Sequence, residues 1–145
     1  MVTHQRIAAI DIGTVRIGVA VSSLEGKIAL PLTTVQVSGC DDPPRAVAEV
    51  LLREGVSLVV VGWPLALDGS QGAATRRTKQ FLKAIRVHCP NMKFIAQDER
   101  FSSSQAESAL AELQTKGSKK KTLVDSMAAA LILQTYLEQC GNKGT

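Results

Sequence analysis

Residues 8–23 read AAIDIGTVRIGVAVSS. An apolar run meets one carboxylate, Asp11, passes through Gly13 and returns as a second apolar run, 16–22. Alternating and β-branched residues on both sides of a glycine predict two strands joined by a tight hairpin. Gly13 and Gly18 then mark places where backbone approaches closely. PLTTVQVS (31–38) is also rich in β-branched residues. The three short-linked strands predict an antiparallel meander.

Beyond residue 40 the period changes. DDPPRAVAEVLLREG (41–55) places Val47, Val50 and Leu51 at helical spacing, with acids and prolines at its start and Gly55 as its stop. SLVVVG (57–62) is a continuous apolar run, as expected of a central strand covered on both faces. WPLALDGSQG (63–72) reads as a loop, and AATRRTKQFLKAIRVH (73–88) as a basic amphipathic helix with Phe81, Leu82 and Ile85 inward. KFIAQ (93–97) is a short strand ending at DER (98–100). A serine-capped helix is expected over 102–114, a mobile basic linker over 115–121 and a last helix over 122–140. The predicted order is β-β-β-α-β-α-β-α-α: an α/β domain spanning 1–145, with a mixed five-stranded sheet and helices on both faces.

Composition narrows the classes. A chain of 145 residues with 45% hydrophobic and 21% charged residues suits a globular domain with its own core. Aromatic residues make up only 3%, which argues against a stacking platform for bases. The net charge of +4 is compatible with a polyanionic partner. Cys40, Cys89 and Cys140 are widely separated and lack metal-binding or redox spacing, so free thiols in a reducing compartment are expected. His4 and His88 form no zinc motif. The longest apolar stretch, 127–133, is far short of a membrane span, and no signal-peptide core precedes Asp11. The expectation is a cytoplasmic protein without a membrane partner.

Three groups of acids occupy places that packing does not demand: Asp11 at the end of the first strand, Asp98 and Glu99 at the end of the last strand, and Asp125 among apolar neighbours in the first turns of the last helix. Taken singly, each has an ordinary explanation, as a turn residue, a solvated strand end or a helix-dipole partner. Gathered together, carboxylates repel unless a cation compensates them, and oxygen donors of this type suit Mg²⁺ or Mn²⁺. Two such ions can activate water and stabilise the leaving oxygen of a phosphodiester. Cations that could hold a phosphate backbone are Arg16, Arg76, Arg77, Lys79, Arg100 and the lysines 116 and 119–121, among them Lys119, Lys120 and Lys121.

IDIGTVRIGVAVS, VVVGWPLALDGSQG, QDERFSSSQAE and KKTLVDSMAAALILQTYLE, in this order, resemble the YqgF family, Holliday-junction-resolvase-like proteins also described as pre-16S ribosomal RNA nucleases. The resemblance runs from about Ile7 to about Glu138 and implies an RNase H-like fold and a hydrolase acting on ester bonds. It implies that Asp11, Glu99 and Asp125 are the catalytic acids and ligands of Mg²⁺ or Mn²⁺, with Asp98 as a second candidate ligand. It further implies 5′-end processing of pre-16S ribosomal RNA in ribosome biogenesis, by a monomer or homodimer. Resolution of branched DNA and non-catalytic RNA binding in ribosome assembly are the alternatives. Serines follow DER where the family usually has threonines, and Gln97 precedes it where a large residue is common. DIGT with its hairpin also resembles the phosphate loop of the actin, Hsp70 and sugar-kinase superfamily. That superfamily closes two such domains over nucleotide, and only one is present in this sequence.

Overall fold

The computed structural model describes residues 6–64, 72–98 and 120–143, with side chains from 126 to 140 in the last segment. Five strands form one sheet: β1 (Arg6–Ile12), β2 (Arg16–Ser22), β3 (Ala29–Gln36), β4 (Val56–Trp63) and β5 (Lys93–Asp98). Their order is β3-β2-β1-β4-β5. The expected meander is present, β1–β2 and β2–β3 being antiparallel, while β4 lies parallel to both β1 and β5. The helices are α1 (Pro43–Arg53), α2 (Ala73–His88) and α3 (Lys120–Lys143). The expected helix over 102–114 lies outside the described residues.

Strand alternation separates two cores. Ala8, Ile10 and Ile12 of β1 join Val59 and Val61 of β4 beneath α1 and α2, where Val47, Leu51, Leu82 and Ile85 are buried. Ala9 of β1, Ala20 of β2 and Val60 of β4 face the other way, against Ala129, Ala130, Ile132 and Leu133 of α3. The α3 side is built from unusually small residues, which lets a helix lie close against the sheet.

Local chemistry explains most boundaries. The Asp42 side chain accepts a hydrogen bond from the Arg45 N–H and caps α1 just ahead of two prolines. Beyond α1 the chain turns through Gly55 at φ +71°, a conformation that costs glycine little. β3 starts at Ala29, two residues earlier than its β-branched content suggests. The Ala29 N–H donates to the buried Gln134 Oε1 of α3 at 2.8 Å, a tertiary bond that local pattern does not report. Pro31 is tolerated because β3 is an edge strand, and the β2–β3 register slips beside it. α3 begins at Lys120, so Lys120 and Lys121 belong to the helix rather than to the expected linker.

At the start of β1, Arg6 pairs with Glu54 at 2.6 Å, tying the strand to the α1–β4 turn. The three cysteines are unpaired, as expected. Cys89 is buried, its thiol donating to the Ile85 carbonyl, and burial raises its pKa. Among the described residues, no helix is long and apolar enough to cross a membrane.

Gln134→Leu removes the acceptor for the Ala29 N–H at a site where water cannot replace it. Leaving one buried donor unmet is expected to cost about 1–3 kcal/mol. Urea unfolding should show a lower midpoint with an unchanged slope.

Candidate functional site

Asp11 lies within β1 rather than beyond it, paired with Gly18 of β2. The strand continues through the acid because the neighbouring strand supplies a complete backbone ladder on that side. Alternation turns Asp11 to the α3 side of the sheet, in line with Ile7 and Ala9. Ile10 pairs with Val61, so one step further along the parallel register Asp11 stands beside Gly62 of β4. The carboxylate therefore lies between two positions without side chains, Gly18 and Gly62. It is half-buried.

This notch sits at the carboxyl ends of β1, β4 and β5, the end of an open parallel sheet where ligands usually bind. Gly62 pairs with Gln97 and Trp63 with Asp98. Phe94 packs with the α1–α2 core and Ile95 with the α3 core. Alternation from these two residues assigns Asp98 to the α1–α2 side, opposite Asp11. Glu99 and Arg100 lie outside the described residues. Asp125 belongs to α3, which covers Asp11's side of the sheet, but its side chain is not among those described. Among the described residues, no group of three His, Cys, Asp or Glu side chains gathers.

The basic candidates separate. Arg16 is exposed at the start of β2 and shares the parity of Gly18 and Ala20, which places it on Asp11's side. Arg76 is exposed in the first turns of α2. Arg77 is half-buried and lines a cleft of about 420 Å³ between the β1–β2 turn and α2, together with Thr14 and Phe81. Lys119 lies outside the described residues, and Lys120 and Lys121 are described only by their place in α3. Gly62 was not singled out from sequence. Its signal is a glycine interrupting the apolar run VVVGW.

The β1–β2 turn is tight. The Gly13 N–H donates to the Arg16 carbonyl at 3.0 Å, and a Cβ on Gly13 would lie 2.7 Å from that same oxygen. Gly13→Ala must open the turn and is expected to cost about 1–3 kcal/mol. Thermal melting measures this directly.

Comparison with known proteins agrees with this geometry. A family model described as "RuvX: Holliday junction resolvase" matches residues 5–139. A "Putative pre-16S rRNA nuclease" of Fusobacterium nucleatum subsp. nucleatum is 39% identical over 135 residues, covering 92% of this chain and 97% of the relative. Its namesake in Sulfurihydrogenibium sp. is 41% identical over 135 residues, covering 92% and 90%. In structure, T. thermophilus RuvC in complex with Holliday junction substrate superposes with a TM-score of 0.61 at 24% identity, covering 94% of this chain and 97% of that one. The fold is that of the RNase H-like resolvases, and on the match across 5–139 together with these relatives, the chain belongs to the RuvX (YqgF) family.

Proposed function

We propose that the chain is a divalent-metal-dependent nuclease that hydrolyses phosphodiester bonds during 5′-end processing of pre-16S ribosomal RNA. The observation that carries this reading is the placing of Asp11: a carboxylate on the central strand, flanked by two glycines, at the ligand-binding end of the sheet. A rigidly held oxygen donor is what a hard cation requires.

The other donors are assigned by position. Ala129 and Ile132 of α3 are buried against the sheet, and Asp125 precedes them in the sequence by four and seven residues, the intervals of a helical repeat. Asp98 belongs to the α1–α2 side, opposite Asp11, which supports the neighbouring acid of DER, Glu99, as the partner donor. Asp11, Glu99 and Asp125 are therefore the proposed holders of Mg²⁺ or Mn²⁺. The bound metal supplies Lewis-acid activation and charge neutralisation at the phosphate. Arg16, exposed on the same side, would clamp a neighbouring phosphate and orient the scissile bond. Arg76, Arg77, Arg100 and Lys119–Lys121 would hold the backbone further out.

Branched DNA is the second reading, because the family description names a Holliday junction resolvase. Purified protein should be incubated with a 5′-extended 16S precursor RNA and, separately, with a four-way DNA junction, each with Mn²⁺ or with chelator. Metal-dependent cutting of the precursor by wild type, and not by the triple variant Asp11→Asn, Glu99→Gln, Asp125→Asn, is the expected result. Cutting of the junction alone would select the second reading. Intact binding with no cutting of either would leave an RNA-binding assembly module.

A further inference from the structure

α2 carries no acidic residue along its whole length. Thr75, Thr78, Leu82 and Ile85 form its buried side. On the exposed side, Arg76, Lys79, Lys83 and Arg86 recur at intervals of three, four and three, which is a single helical stripe. The stripe is about 15 Å long at 1.5 Å per residue. The Arg86 guanidinium lies over the Phe94 ring, 5.8 Å from its centre, so the stripe runs beside β5. Chain direction orients the row. α2 starts just after β4 ends, where the Thr75 hydroxyl donates to the Pro64 carbonyl at 2.6 Å, so Arg76 lies near the Asp11 end of the sheet and Arg86 far from it.

We infer that the Arg76–Lys79–Lys83–Arg86 stripe is a second nucleic-acid track that carries the phosphate backbone of a substrate arm away from the cleavage site. This rests on the nuclease reading above and adds a substrate requirement to it. α2 covers the side of the sheet opposite Asp11. A nucleic acid touching both must cross from one side of the sheet to the other, so the preferred substrate has an arm extending several nucleotides beyond the scissile bond. Four cations spaced about 5 Å apart suit phosphates along one strand better than they suit a compact anion. The absence of any acid on the helix fits a polyanion and not a mixed-charge protein surface.

The test compares two double variants that remove the same charge. Lys83→Ser/Arg86→Ser interrupts the far half of the stripe. Lys27→Ser/Arg53→Ser removes two exposed cations elsewhere. Binding to an RNA duplex with a single-stranded 5′ extension is measured in EDTA, where no cutting occurs, between about 50 and 200 mM salt. The stripe variant should bind at least about tenfold more weakly at low salt, and its log–log salt slope should shrink by about one to two units. The control variant should stay close to wild type, and both should keep the wild-type circular dichroism spectrum. Equal effects of the two double variants, or no change in either, would overturn the track while leaving the cleavage reading intact. That reading falls separately, on cutting by Asp11→Asn protein.

Discussion

Asp11→Asn is expected to lower metal-dependent cleavage by on the order of a thousandfold or more, the equivalent of several kcal/mol of transition-state stabilisation. Asparagine keeps the shape and one oxygen, but loses the charge that holds a cation. The substitution is isosteric at a half-buried position between Gly18 and Gly62, so the fold should survive. Without metal, removing one of several proposed mutually repelling carboxylates should leave the melting temperature unchanged or slightly raised. Single-turnover cleavage of precursor RNA alongside a thermal melt separates loss of chemistry from loss of fold. Wild-type rates from Asp11→Asn protein would remove the acid from the mechanism.

The second large effect is expected from Ala129→Leu. Ala129 is fully buried where α3 meets Ala9, Ala20 and Val60. Three added carbons have no space there and must push the helix off the sheet, at a cost of about 1–3 kcal/mol. Because the proposed donor Asp125 lies four residues earlier in α3, the damage should exceed the stability loss. A displacement near 1 Å can cost on the order of a hundredfold in rate. Ala128→Leu, one residue earlier and exposed, should change neither stability nor cleavage. Unchanged turnover per folded Ala129→Leu molecule would show that α3 does not place a catalytic group.

How much of this was legible in advance depended on the range of the interaction involved. The β1–β2 hairpin and the buried β4 show plainly in the sequence because period and burial coincide in AAIDIGTVRIGVAVSS and SLVVVG. The boundaries that moved did so for tertiary reasons. Ala29 enters β3 through Gln134, more than a hundred residues later. Lys120 and Lys121 read as linker from their charge, yet lysine is a good helix former and α3 takes them in. Asp11 was recognisable as an unusual acid, but its glycine neighbour was not, since Gly62 comes beside it only through the parallel register of β1 and β4. The side taken by Asp98 was not readable from DER alone, and it follows only from the packing of Phe94 and Ile95 on opposite faces of β5.

The covering of the meander by α3 has a consequence for synthesis. β1, β2 and β3 pair locally and can assemble soon after they emerge from the ribosome, but Ala9, Ala20 and Ala29 remain bare on one side. Their cover arrives only with residues 120–143, about a hundred residues later, which is several seconds at bacterial elongation rates. The nascent chain therefore passes through a stage with a formed sheet and an uncovered apolar surface, and docking of α3 completes the fold. On the proposed donor set, that same step delivers Asp125, so a partly made chain holds Asp11 but cannot cut the ribosomal RNA around it.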